Sequence, residues 1–211
     1  MEVADIFFER LSGVLDPLGG ASTTPDGLRP AGVLVPLRAL PAGPPGSGEE
    51  ITVVLARRSE RVPHHKGQVC FPGGSRDPGD ADLLATALRE AGEELGIRES
   101  DVELLGAMAP VPTVTGFFIQ PYVARLPASA TFRLDGFEMA EVFEVPLAAF
   151  EDFGRYRRAR TSFLGEAYDV FFFDYDHHTI WGATAKILHR LAALAAAIPP
   201  AIDTASPPRI K

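Results

Sequence analysis

The chain has 211 residues, 46% of them hydrophobic and 23% charged, so it is long enough to bury a substantial core and reads as a single soluble globular domain. Its 28 acidic and 20 basic residues leave a formal net charge of −8, which argues against a broad nucleic-acid or anionic-membrane surface but leaves room for a local basic pocket that holds a phosphate. The lone cysteine, Cys70, excludes an internal disulfide and is expected to be a small core residue. With no basic leader and no apolar run of signal or membrane-spanning length, the cytoplasm is the expected compartment.

Val3 to Leu15 carries apolar residues at Val3, Ile6, Phe7, Leu11 and Leu15, close to a helical stripe, and predicts a covering helix. Asp16 to Pro30, rich in Gly, Pro, Ser and Thr, predicts a loop into a first strand, Ala31 to Leu37, and Pro41 to Glu50 predicts a hairpin connection. Ile51 to Ala56 predicts a second strand. It runs into a basic loop with Arg57, Arg58, Arg61, His64, His65 and Lys66, and Gln68 to Phe71 then returns as a strand ending at Pro72-Gly73-Gly74. Strand alternation can point Arg57 away from a site that its neighbours form.

A polar loop with Asp77, Pro78, Gly79 and Asp80 leads into a helix predicted from Ala81 to Leu95. At about 100° per residue, Glu90, Glu93 and Glu94 fall within an arc of roughly 100°, while Leu84, Leu88, Ala91 and Leu95 share a different side. Like charges at this spacing destabilise a helix by a few tenths of a kcal/mol per pair, and acids near the C-terminus oppose its dipole. Clustered hard oxygen donors suit Mg²⁺ or Mn²⁺, which are commonly shared with substrate phosphates. A solvated acidic face is the bland alternative. The adjoining Arg89, Gly96 and upstream glycine loop favour a site over it, and the basic loop just ahead could hold terminal phosphates while acid-bound metal polarises the bond to be cut.

Val102 to Ala109 and Phe117 to Leu126 predict strands joined by Pro110 to Gly116, a connector that either lines a pocket or is only a turn. Asp135 to Val145 follows another loop and adds Glu138, Glu141 and Glu144, of which Glu138 reads, at its blandest, as a solvated helix or loop acid. Tyr156 to Phe163 and Tyr168 to Tyr175 predict a late hairpin turning near Gly165, its first arm crowded by Arg155, Arg157, Arg158 and Arg160, which are expected to be solvated. Trp181 to Ala197 predicts a final helix with Trp181 as a core plug. Residues 1–198 are thus expected to form one domain, and Pro199 to Lys211 a disordered tail.

Gly74, Arg89, Glu90, Ala91, Glu93, Glu94, Gly96 and Ile97 resemble the Nudix hydrolase signature. Asp80 stands where that signature has its first Glu, and the gap to Arg89 is one residue longer than usual. Both departures are also expected in the subgroup resembling coenzyme A diphosphatases. Arg58, Ser59, His65, Gly67, Val69, Phe71, Pro72, Gly73 and Gly74 are similar to the extra motif that precedes the Nudix box in that subgroup.

The resemblance implies an α/β/α sandwich with a mixed β-sheet, and metal-dependent hydrolysis of the diphosphate of coenzyme A or its derivatives to 3′,5′-ADP and 4′-phosphopantetheine. It implies Mg²⁺ or Mn²⁺ held by Glu90, Glu93 and Glu94, Arg89 orienting a glutamate through a bidentate pair, and Glu138 approaching the metal site from a loop. The general base stays open between Glu93 and Glu138. Arg58, Arg61 and Lys66 are the candidates for the substrate's 3′-phosphate, His65 either bonds a phosphate or braces the loop, and Gly73 and Gly74 permit close backbone approach. The implied partner is a small molecule, with no nucleic acid and no membrane; a homodimer is left open. The competing readings are a Nudix hydrolase of another nucleoside diphosphate derivative, a non-hydrolysing ligand sensor on the same fold, and an acidic interaction domain without a site.

Overall fold

Alternation along two long strands sets the layering. The computed structural model describes residues 2–18, 23–44, 46–134, 136–163 and 166–199. In β1 (Arg29–Pro41) and β2 (Glu49–Arg58), Val33, Val35, Leu37, Val53 and Leu55 face one way and Leu34, Val54 and Ala56 the other. The first set packs with Phe8 and Leu11 of α1 (Val3–Val14) and with Leu188 and Leu191 of α3 (Gly182–Ala196). The second packs with Ala87, Ala91 and Leu95 of α2 (Leu83–Leu95). The result is the expected sheet between helices.

The sheet is mixed. β1 runs parallel to β7 (Phe117–Arg125) and antiparallel to β2, while β5 (Glu103–Ala107) and the short β6 (Val111–Pro112) pair antiparallel with β7. β8 (Met139–Pro146) adds to the other edge of β2. A second, three-stranded antiparallel sheet has β10 (Glu166–Tyr175) between β9 (Arg157–Phe163) and β11 (His178–Trp181). No helix among the described residues is long and apolar enough to cross a membrane.

A fork between β1 and β2 positions the site. β1 bonds β2 through Leu37–Pro41 but bonds β4 (Gly73–Ser75) through Ala31–Val33, and the end of β2 bonds β3 (Val69–Cys70). Phe71-Pro72 crosses the fork, with the Pro72 carbonyl accepting from the Leu34 N–H at 2.9 Å. α2 lies close over it: a Cβ on Gly32 would fall 2.1 Å from the Leu83 carbonyl oxygen, so only glycine allows this helix to settle on β1.

The structure revises several expectations. α2 starts at Leu83, two residues late, because the Asp82 carboxylate caps the helix by accepting from the Ala85 N–H at 2.8 Å. The stretch with Glu141 and Glu144 is strand β8, and β11 was not foreseen. Trp181 is 38% exposed at the end of β11 and is no core plug. Arg155, Arg157 and Arg158 are exposed as expected, but lie over the rings of Phe173, Phe172 and Phe171. The Gly165 turn and residues 200–211 of the predicted tail lie outside the described residues.

Candidate active site

α2 does not simply present its acids to solvent. Glu94 is only 4% exposed, with Oε2 accepting the Gly73 N–H at 3.0 Å and Oε1 lying 3.4 Å from Arg58 Nη1. Burial pushes its carboxyl up to about 8, and the charges of Glu90 and Glu138 push the same way, against the Gly73 N–H and Arg58. Glu90 is raised as well, by burial first and by Glu93 and Glu138 next, with Arg89 opposing. Glu90 closes on the glycine turn: a Cβ on Gly74 would lie 2.4 Å from its Oε1. At Gly73, where φ is +153°, a Cβ would meet the Gly32 carbonyl at 2.4 Å.

Arg89 organises the middle of the cluster. It makes a bidentate pair with Asp80, Nε to Oδ1 at 3.0 Å and Nη2 to Oδ2 at 3.1 Å, and reaches Glu93 at 3.0 Å and Glu90 at 3.1 Å. The predicted bidentate partner was a glutamate; the structure makes it Asp80. Asp80 Oδ2 also accepts the Asp77 N–H and the Thr86 hydroxyl, both at 2.9 Å. Arg89 above all, then these donors, hold its carboxyl well below the usual carboxylate range. Asp80 therefore anchors Arg89, and with its oxygens so engaged it is poorly placed to act as a further metal ligand. Thr86 was missed by sequence reasoning, since a lone helical Thr carries no distinguishing signal.

Arg58, at the end of β2, joins this cluster to the loop before β8. Its Nη2 lies 3.3 Å from Glu138 Oε2, and its buried Nε has no hydrogen-bond partner among the described residues. Arg57 turns the other way and pairs with Glu141 at 2.9 Å, as alternation predicts. Of the residues predicted for the site, Arg58, Gly73, Gly74, Arg89, Glu90, Glu93, Glu94 and Glu138 come together. Arg61 and Lys66 are exposed and outside this linked set, the Arg61 guanidinium making a long bond of 3.5 Å to the Gly136 carbonyl. His65 is exposed, with Nδ1 2.9 Å from Gln68 Oε1.

A cavity of about 330 Å³ opens beside the glycine turn. Arg58, His65, Gly73 and Gly74 line it, together with the apolar walls of Val33, Phe71, Phe117, Tyr168 and Trp181. Thr113, Val114 and Thr115 complete one side, so the connector left open by the sequence is a cavity wall. Tyr168 and Trp181 reach it from the small sheet, a juxtaposition no local pattern could reveal. Cys70 also lines it, half-buried, and burial pushes its thiol up to about 12, far from a reactive thiolate.

Among the described residues six carboxylates, Asp77, Asp80, Glu90, Glu93, Glu94 and Glu138, thus share two guanidiniums, Arg58 and Arg89. An all-oxygen donor set suits a hard divalent cation, and Glu90, Glu93 and Glu94 are the residues that would turn toward it.

The sequence pattern of the NUDIX domain matches residues 45–163. Two bacterial relatives described as uncharacterized Nudix hydrolase NudL are each 40% identical to the chain. The one from Photorhabdus laumondii aligns over 167 residues, 79% of this chain and 85% of its own. The one from Citrobacter koseri aligns over 166 residues, 78% and 81% respectively. A solved MutT/nudix family protein from Enterococcus faecalis matches with a TM-score of 0.50 at 14% identity, covering 81% of this chain and 63% of that one, a likeness of fold alone. With the domain pattern spanning more than half its length and the cluster acids rising from the matched segment, the chain belongs to the Nudix hydrolase family.

Proposed function

We propose that the chain is a cytoplasmic coenzyme A diphosphatase, hydrolysing coenzyme A and its derivatives to 3′,5′-ADP and 4′-phosphopantetheine with Mg²⁺ or Mn²⁺. The observation that carries this reading is the placement of Arg58. Its two acid contacts, at 3.3 and 3.4 Å, are long for charge-assisted bonds, its buried Nε lacks a partner among the described residues, and it lines the cavity. A guanidinium so placed can exchange its carboxylates for a phosphate at the cavity mouth. The apolar walls then suit the uncharged parts of the substrate, and the volume lies in the range of small-molecule sites.

Nudix hydrolases generally use divalent metal ions such as Mg²⁺ or Mn²⁺. Glu90, Glu93 and Glu94 would hold them here, and such ions, when bound, polarise the diphosphate and favour an activated water. The chain's own residues do the rest. Arg58 neutralises phosphate charge that would otherwise repel the incoming oxygen. Arg89, fixed by Asp80, holds Glu93 and Glu90 in place, so little reorganisation is needed when the substrate arrives. Glu93 or Glu138, both more open than Glu94, accepts the proton of the attacking water. Gly73 and Gly74 let the Gly32 backbone and the Glu90 carboxylate close on the turn where a side chain would block them.

Arg61 and Lys66, standing outside the linked set, favour testing a second substrate class, another nucleoside diphosphate derivative. The experiment is a mass-resolved product assay with coenzyme A, a panel of other nucleoside diphosphates, Mg²⁺ or Mn²⁺ and ¹⁸O-water, with Glu93→Gln as control. The expected result is metal-dependent release of 3′,5′-ADP and 4′-phosphopantetheine that is lost in the variant. Cleavage of another panel member with coenzyme A left intact would overturn the substrate assignment, and binding of coenzyme A without cleavage of anything would favour a ligand sensor.

A further inference from the structure

On the other face of the large sheet, three side chains that the proposed reaction does not use converge between the two sheets. We propose that Glu141, His177 and His178 form a second metal site, for a borderline first-row dication such as Zn²⁺, that ties the small sheet to the large one. One donor atom from each lies within 4.8 Å of the others. His178 Nε2 and Glu141 Oε1 are 3.4 Å apart, the separation expected for two ligands of one tetrahedral ion with bonds of about 2.0–2.1 Å.

The surroundings already hold these groups in place. Arg57 Nε takes Glu141 Oε2 at 2.9 Å, leaving Oε1 toward the histidines. Asp176 Oδ2 lies 2.7 Å from His177 Nδ1, the carboxylate–imidazole contact that fixes the ring and leaves Nε2 for an ion. His178 is buried and stacked on Phe143, with ring centroids 4.0 Å apart. Asp176, at φ +51°, makes the turn into β11 that sets the two imidazoles 4.0 Å apart. Two carboxylates and one guanidinium leave the group one charge negative with neutral imidazoles, which favours a cation. Two nitrogens and one oxygen select Zn²⁺ over Mg²⁺, the reverse of the all-carboxylate cluster.

The consequence reaches the cavity. Glu141 belongs to β8 of the large sheet, while His177 and His178 sit at the turn into β11, three residues before Trp181 on the cavity wall. An ion here would pin that wall.

The test is competition of the full-length protein with a chromophoric chelator for Zn²⁺, in excess Mg²⁺ to cover the acid cluster, with a thermal melt alongside. The proposal expects one tightly held Zn²⁺ per chain and a rise in Tm. His177→Ala and Glu141→Gln should each weaken binding at least tenfold and remove that rise. His177 is 70% exposed, so its replacement spares the core, and the metal-free melt of His177→Ala should match that of the parent. Replacement of Zn²⁺ by Co²⁺ should give the visible absorption of a tetrahedral ion in the parent alone. Zn²⁺ binding that is absent, or equal in the parent and His177→Ala, would overturn the proposal and leave the His178–Glu141 contact as a link between the sheets only.

Discussion

Arg57 and Arg58 are consecutive residues of one strand, yet they meet opposite electrostatic conditions. Arg57 has one carboxylate, Glu141, at 2.9 Å, and the two are matched. Arg58 is divided between Glu94 and Glu138 at 3.4 and 3.3 Å, beside Glu90 and Glu93, which share Arg89 with Asp80. Matched charge of the first kind ties strands together; unmatched charge of the second kind sacrifices stability, as expected of a place for a hard cation and phosphates. The comparison teaches that the proposed site is marked by the way its acids share Arg58 and Arg89, more than by the number of those acids.

The strongest way to break this comparison is to remove an acid from the unmatched side. Glu94→Gln should lower metal-dependent hydrolysis roughly 10²–10⁴-fold, the range for losing a positioned group at a reacting centre, with circular dichroism unchanged. Turnover near the parental rate at saturating Mg²⁺ would place the chemistry elsewhere. A sharper form uses the two arginines. Arg58→Gln should lower kcat/KM roughly 10–100-fold, as expected for bonds to charged groups worth about 1.5–3 kcal/mol, while Arg57→Gln should stay within about twofold. Equal losses in steady-state assays of the two variants would erase the distinction between the faces.

The smallest effect is one of pH. Glu94 is raised from an ordinary 4.5 to about 8 in the folded, metal-free protein. Between those values the unfolded chain releases this proton and the folded one keeps it, so stability falls as pH rises, and the loss is complete above about 8. A dication needs the ionised form, so the stabilisation it gives grows over the same window. Melts in EDTA should therefore show the parent losing Tm relative to Glu94→Gln across this range, and Mn²⁺ restoring it most at the alkaline end. Parallel curves with and without the substitution would contradict the assignment.

How far the sequence could be read depends on the range of the forces involved. α2 was legible because its apolar side repeats at helical spacing, and β1 and β2 because short apolar runs announce strands, whereas the Asp82 cap that sets the start of α2 was not read. β8 was not, since Glu138, Glu141 and Glu144 stand three apart, a helical spacing. In the structure each meets an arginine of β2 or of β1 beyond it, Arg58, Arg57 and Arg38, partners that only the sheet register supplies. The acids of α2 were visible as a group, but the burial of Glu94 and the capture of Arg89 by Asp80 depend on a glycine turn and a loop folding back on the helix. The cavity was the least legible part. Its walls come from β1, the Thr113–Thr115 connector and the small sheet, elements far apart in the chain.

The most direct test of the central claim is a Mn²⁺ titration of the substrate-free protein, followed by electron paramagnetic resonance, for the parent, Glu90→Gln/Glu94→Gln and Glu141→Gln. The account predicts at least one Mn²⁺ bound by the parent and by Glu141→Gln with similar affinity, and binding weakened at least tenfold in the double variant. Equal binding by all three proteins would mean that the unmatched acids of α2 are not the metal site.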